Sequence, residues 1–224
     1  MKTYLINLPL TDYREAWKIQ KELHSIRRRK TIPDTLLLLE HPDVITLGKS
    51  GNEENLLTTK NELERMGIQF YRVERGGDIT YHGPGQLVGY FIFSLENGIG
   101  SLRNFVWKIE ESIIRVLKVF DIDGKRKDKF RGVWVNEKKI AAIGLAVRER
   151  VTFHGFALNV NPNLNFFNLI VPCGLKFGVT SMKQEKGYKI PMEDVSSEIK
   201  NAIESVFKCK LYEVKLEELW QRVP

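Results

Sequence analysis

Three strand-like segments follow one another between residues 131 and 160, and this succession restricts the fold more than any other feature of the chain. Segments 131–136, 140–147 and 152–160 are rich in β-branched and aromatic residues. The polar stretches Asn136-Glu137-Lys138 and Arg148-Glu149-Arg150 supply the turns between them. Connections this short join antiparallel neighbours, because a parallel crossover needs a dozen or more residues. The segments therefore predict an antiparallel meander.

The remaining pattern places helices around such a sheet. Residues 1–9 read as a first strand rather than a leader, being too short and too polar for a signal peptide. Thr11-Asp12 with Glu15 opens a helix. Ala16, Ile19, Leu23 and Ile26 repeat at three- and four-residue spacing and carry it to about Arg29. The basic run Arg27-Arg28-Arg29-Lys30 suits a solvated helix C-terminus, and Pro33 stops the helix. Residues 36–39 form a short apolar run that reads as a buried strand. Segments 69–74 and 87–95 are further strands, with a glycine-rich loop between them. Leu102, Val106, Ile109, Ile113, Val116 and Phe120 mark a second long helix, followed by a loop at 121–129. Val195, Ile199, Ala202, Val206 and Phe207 mark another helix near the end. The fold class expected is α+β, a mixed and mostly antiparallel sheet packed with helices. One domain is expected over 1–224, with a boundary near 172–189 and a small helical C-terminal part from about 183.

Composition narrows the function. An apolar share of 42% supports a sizeable core, and no apolar run approaches membrane-spanning length. A cytoplasmic protein is expected. The two cysteines, Cys173 and Cys209, form no CxxC pair and sit in no His/Cys cluster, which argues against a disulfide scaffold or a metal site. The net charge of +7 implies an acidic partner, either nucleic acid or an acidic protein. No helix-turn-helix, zinc-finger or RNA-binding aromatic signature accompanies the charge, so nucleic acid is disfavoured.

Three segments carry candidate chemistry. The first is Arg75-Gly76-Gly77-Asp78-Ile79-Thr80-Tyr81-His82-Gly83-Pro84-Gly85-Gln86, whose glycines let backbone pass close to a ligand while Arg75 adds a cation. It matches neither a phosphate loop nor a dinucleotide fingerprint. The second is Lys138-Lys139-Ile140-Ala141-Ala142-Ile143-Gly144, where a lysine enters an apolar strand. Desolvation lowers an ammonium pKa and suits lysine to proton transfer or to pairing with a thiolate. Adjacent strand residues face opposite sides, so one of Lys138 and Lys139 points inward, and composition leaves open which. The third is Val171-Pro172-Cys173-Gly174-Leu175. Its proline and glycine put Cys173 in a loop, whereas Cys209 fits a packed, buried thiol. His154 is either a hydrogen-bonded strand histidine or a site residue beside the small Gly155 and Ala157. His41 reads as a turn histidine and His24 as a surface one.

At these segments the sequence resembles the lipoyl(octanoyl) transferases of the biotin and lipoate protein ligase catalytic-domain superfamily. The stretches that carry the likeness are residues 36–57, 75–90, 132–144, 153–160 and 171–182, in order along most of the chain. The resemblance implies a biotin/lipoate protein ligase-like catalytic domain. It further implies that Cys173 is an acylated nucleophile and that Lys139 pairs with it. By the same likeness Arg75, Gly76, Gly77, Asp78, Ile79, Thr80, Tyr81 and His82 line the substrate pocket. So do Ala142, Ile143 and Gly144, and Gly155, Phe156 and Ala157. No cofactor is implied. The expected donor is octanoyl-acyl carrier protein, whose acidity would suit a basic face such as 125–131. The expected acceptors are lipoyl domains of 2-oxoacid dehydrogenase complexes and the glycine cleavage H protein, met by a monomeric enzyme. The rival within the superfamily is an ATP-dependent lipoate or biotin ligase, which needs no catalytic cysteine. An amidotransferase moving the acyl group between two lipoyl domains is a further alternative.

Overall fold

The computed structural model describes residues 1–96, 100–171 and 178–222. In chain order the elements are β1 (Lys2–Leu10), α1 (Tyr13–Arg28), β2 (Asp34–Glu40), β3 (Val44–Leu47), α2 (Lys60–Arg65), β4 (Gln69–Arg72), β5 (Ile79–His82) and β6 (Gln86–Ile92). Then come α3 (Leu102–Val119), β7 (Lys125–Lys127), β8 (Phe130–Val135), β9 (Lys138–Arg148), β10 (Val151–Asn159), α4 (Met182–Lys186), α5 (Met192–Phe207), β11 (Lys210–Glu213) and α6 (Leu216–Arg222). Eight strands form one sheet in the order β11-β1-β2-β6-β10-β9-β8-β7. Among the described residues its β11–β1 and β1–β2 pairings are parallel and its other strand pairings antiparallel. A second, three-stranded sheet runs β4-β3-β5.

The apolar run at 36–39 is explained by burial on both faces of the large sheet. Leu36 and Leu38 join the core beneath α3 and α5, while Leu37 and Leu39 join the core beneath α1. The same alternation recurs in β6 and β10. Phe91, Phe93, Phe105 and Phe207 interlock by edge and face at the centre of the first core, with ring centroids 5.2–5.8 Å apart. The C-terminal part packs on the large sheet. Helix α5 supplies Val195, Ile199, Ile203 and Phe207 to that core, and β11 extends the sheet beyond β1.

Other expectations need correction. The loop at 121–129 contains β7, an edge strand of three basic residues paired with β8. Charge on an exposed edge blocks further pairing, so the composition that argued for a loop also suits this strand. Strands β3 and β5 were not expected: each has four residues, too few for a period to show. His24 is buried rather than on the surface. Its Nε2 donates toward the carbonyl oxygens of Arg148 and Val151 at 3.1 and 3.3 Å, tying α1 to the β9–β10 turn. His41 does follow β2, but it is fully buried, with Nδ1 2.7 Å from the Thr11 carbonyl and Nε2 2.6 Å from the Tyr90 hydroxyl. Burial lowers its pKa to about 4. Arg27 leaves the solvated basic run and pairs with Asp34 inside the protein.

Asp12 caps α1, its Oδ1 accepting from the backbone N–H groups of Arg14 (2.8 Å) and Glu15 (3.3 Å) while Oδ2 accepts from Gln69 (2.7 Å). Partial burial raises the carboxyl's pKa, but the Gln69 and backbone bonds outweigh it and leave the pKa below its ordinary value. Loss of the cap in Asp12→Ala is expected to cost about 1 kcal/mol at neutral pH. Because the folded pKa is depressed, the carboxylate's contribution is present above the unfolded pKa and is lost as pH falls through the folded one. Urea denaturation of both proteins from pH 7 to pH 3 checks both statements: the difference in stability should narrow at the acid end.

Candidate functional site

A cavity of about 420 Å³ opens where the glycine segment crosses β9 and β10, within the size range of small-molecule sites. Its wall includes Arg75, Gly77, Asp78, Ile79 and Thr80 from the glycine segment, and Lys139, Ala142 and Ile143 from β9. Ala157 and Asn159 of β10, with Gln86 at the start of β6, form its inner end. Lys129, Phe130, Arg131 and Trp134 close it from the β7–β8 hairpin, and Phe167, Gly178 and Val179 also line it.

Close backbone approach explains the glycines. Gly77 adopts φ +88°, a region that side chains disfavour. A Cβ on Gly144 would stand 2.8 Å from the Gly76 carbonyl oxygen, so only glycine lets the loop lie on β9 there. The Gly76 N–H donates to the Leu145 carbonyl at 2.8 Å and locks that crossing. Arg75 is buried beneath the loop, donating to Thr46 Oγ1 (2.9 and 3.2 Å), to the Thr46 carbonyl (2.7 Å) and to the Gly76 carbonyl (3.2 Å). It joins the loop to β3 and puts a fixed positive charge in the cavity wall.

A chain of amides backs this wall. Gln86 Nε2 donates to the Tyr81 carbonyl (3.1 Å) and to Asn159 Oδ1 (3.0 Å), and Asn159 Nδ2 donates to the Thr180 carbonyl (2.9 Å). The remaining Gln86 oxygen can only accept, so His82 Nδ1, 3.1 Å away, donates to it. His82 therefore carries a proton on Nδ1. Burial lowers its pKa well below the ordinary histidine value, with His41 and Arg75 adding to the effect.

Between the two lysines the structure decides. Lys139 lines the cavity, its Nζ 4.8 Å from the centre of the Trp134 ring, while Lys138 is exposed and lies along Gly178. The Lys139 backbone also bonds the Gly178 carbonyl (2.9 Å) and the Thr180 N–H (3.0 Å). Cys173 lies outside the described residues. On one side of that segment the Val171 N–H donates to the Asn55 carbonyl at 2.8 Å; on the other, Gly178 is in the cavity wall.

Most of the expected site residues divide between two spaces; Gly76 lines neither and packs on Gly144 and Leu145 of β9. Arg75, Gly77, Asp78, Ile79, Thr80, Lys139, Ala142, Ile143 and Ala157 line the large cavity. His82, Gly144, Gly155 and Phe156 line a smaller one behind it, which shares Arg75, Thr80, Ala142 and Ala157 with the first. Tyr81 faces away, into the aromatic cluster with Phe166 and Phe167, and donates to Asp43 Oδ1 at 2.6 Å. Gln86, Asn159, Phe130, Trp134 and Phe167 were not among the expected residues. Gln86 closes the glycine segment, and Trp134 and Asn159 lie within the stretches 132–144 and 153–160, whereas Phe130 and Phe167 left no sequence signal.

The family description of the lipoyl protein ligase A/B catalytic domain matches residues 12–204, which include every residue of both cavities. The chain belongs to the lipoyl protein ligase A/B catalytic domain family. It is 56% identical to an octanoyltransferase of Dictyoglomus thermophilum, over 84% of this chain and 79% of that one. It is 45% identical to an octanoyltransferase of Caldicellulosiruptor saccharolyticus, over 98% of this chain and 94% of that one. Among solved structures, the fold resembles a bi-partite lipoate protein ligase of Thermoplasma acidophilum, with a TM-score of 0.76 and 15% identity over 99% of this chain and 91% of that one. At that identity the likeness concerns the fold. Within this family member the β4-β3-β5 sheet serves to carry the glycine segment across the main sheet, and the cavity lies in the resulting corner. Among the described residues no group of three or more His, Cys, Asp and Glu side chains is placed to hold a metal ion, and no helix is long and apolar enough to cross a membrane.

Proposed function

We propose that the chain is an octanoyltransferase of protein lipoylation, taking an octanoyl or lipoyl group from acyl carrier protein to a lysine of lipoyl domains. The observation that carries this reading is the identity of 45–56% to curated octanoyltransferases over most of the chain. The proposed acceptors are the lipoyl domains of 2-oxoacid dehydrogenase complexes and the glycine cleavage H protein. The enzyme would work in the cytoplasm as a monomer, with 1–224 as one catalytic domain.

The reaction proceeds in two halves. Cys173, its proton held by Lys139, attacks the donor thioester as the thiolate; a C–S bond forms as another breaks, and the carrier sulfur takes that proton from Lys139 and leaves as a thiol. Exchange between two thioesters is nearly balanced, so this half requires no nucleotide. The acceptor ε-amine then attacks the acyl-Cys173 carbonyl, and conversion of thioester to amide drives the transfer. Lys139 favours the thiolate by its charge in the first half and exchanges a proton with amine and sulfur in the second. Ile79, Ala142, Ile143 and Ala157 offer the apolar wall that an eight-carbon chain requires. An ATP-dependent ligase is the competing reading.

Intact-mass measurement of the protein mixed with octanoyl-acyl carrier protein, without ATP, separates the two. The expected result is one added octanoyl group on the wild type and none on Cys173→Ala. An unlabelled wild type that modifies lipoyl domains only from free fatty acid and ATP would identify a ligase.

A further inference from the structure

The smaller cavity contains a histidine whose surroundings the two half-reactions do not explain. It measures about 30 Å³, room enough for a water molecule, and Tyr13, Arg75, Thr80, His82, Tyr90 and His154 bring polar groups to it. His154 is 1% exposed, and among the described residues neither ring nitrogen has a hydrogen-bond partner. Buried polar atoms are rarely left so. Its backbone is also unusual: φ is +60° in the middle of β10. By strand alternation His154 belongs with Phe156 and Leu158 on the α3 side of the sheet. Its ring instead meets Tyr90 and Phe153, on the α1 side. The positive φ accounts for the change of face, and Gln20 of α1 holds it by accepting from the His154 N–H at 2.9 Å.

The side to which the ring is turned leads out of the protein. His154 Nε2 stands 3.7 Å from Glu74 Oε2, whose side chain is 43% exposed and is also met by Lys21 (3.3 Å) and Trp17 Nε1 (2.9 Å). A separation of 3.7 Å is beyond a direct hydrogen bond but close enough for charge to act. The titratable groups facing the ring are Glu74 and Arg75 beside the loop, Lys21 and Tyr13 of α1, His82 of β5 and Tyr90 of β6. Burial keeps the ring neutral by lowering its pKa, and Glu74 opposes that effect. A neutral ring with Nε2–H toward the carboxylate leaves Nδ1 as an acceptor.

We propose that His154 and Glu74 form a proton exit from the acyl pocket, reached through one water in the small cavity beside Thr80. The inference rests on the octanoyltransferase reading, and proton balance locates where it acts. Thioester exchange consumes and releases no net proton. In the second half the acceptor arrives as an ammonium: the C–N bond forms, the C–S bond breaks, the amide keeps one proton, the sulfur takes one and the third must leave. The cavity water accepts that proton and passes it to His154 Nδ1. Glu74 stabilises the imidazolium and delivers the proton to bulk water. His154 and Glu74 touch no reacting atom and act as positioning residues for the departing proton.

The test is single-turnover kinetics of each half-reaction in Glu74→Gln and His154→Gln. Acylation by octanoyl-acyl carrier protein should stay within about twofold of wild type, while transfer from acyl-enzyme to a lipoyl domain should slow by roughly 10²-fold. Added imidazole should restore transfer in Glu74→Gln, which a merely structural role would not allow. Glu74 lies at the surface, so that variant carries the test even if His154→Gln fails to fold. Equal slowing of both halves, no slowing of transfer, or no rescue would overturn the exit. Failure of the wild type to acylate at all would instead overturn the octanoyltransferase reading.

Discussion

Lys139→Met is expected to lower the rate of octanoyl transfer by roughly 10²–10⁴-fold, the usual worth of a positioned proton-transfer group. Methionine keeps an unbranched apolar stem against Trp134, over whose ring the Lys139 amine now lies at 4.8 Å, while removing the charge. The backbone bonds of Lys139 to Gly178 and Thr180 do not depend on the side chain, so the melting temperature should change little. Lys138→Met is the control. Its side chain is exposed outside the cavity, and activity should remain within about twofold. Steady-state transfer to a lipoyl domain, measured beside thermal melting, checks both. Equal effects from the two lysines would show that bulk positive charge near the cavity matters, and the individual role of Lys139 would be lost.

Asp34→Ala should cost about 3–5 kcal/mol of stability, the range found when one partner of a buried ion pair is removed. Asp34 Oδ1 accepts from Arg27 Nε at 2.7 Å and from the Ser94 N–H at 2.9 Å, and both charged side chains are almost wholly out of solvent. Alanine would strand the guanidinium and leave the Ser94 N–H without its acceptor. The site joins the end of α1, the start of β2 and the chain just beyond β6, so its loss should loosen one whole end of the sheet. Set against a typical total stability of about 5–15 kcal/mol, the loss is large enough to lower the yield of folded protein. The surface pair Lys18–Glu22, at 3.9 Å on the outer face of α1, supplies the contrast. Glu22→Ala should change stability by less than about 0.5 kcal/mol, because water already screens that pair. Urea denaturation decides, and a cost below about 1 kcal/mol for Asp34→Ala would refute the account.

The elements readable in the sequence were those whose signals are local. The meander was visible because its turns are only a few polar residues long, and α1, α3 and α5 because their buried stripes repeat over four turns or more. Cys209 was legible as a packed thiol, and burial does raise its pKa. The glycine segment was recognisable from its motif, although part of it is the strand β5, and Tyr81 within it faces a separate core. Cys173 was singled out by its Pro and Gly neighbours and lies outside the described residues.

The sequence by itself therefore determined the α+β class, the alternation of buried and exposed positions, and the short motifs from which the cavity wall is built. Those follow from backbone period, turn chemistry and residue size, all of which act over a few neighbours. Only the tertiary structure decided that Lys139 and not Lys138 enters the cavity, that Trp134, Phe130 and Phe167 close it, and that His24 and Arg27 are inside. It also decided that His154 turns to the α1 side of its strand. Each of these depends on which distant segment covers a given face, and contacts between segments more than about a hundred residues apart set that, as with β1 beside β11 and α1 over β10.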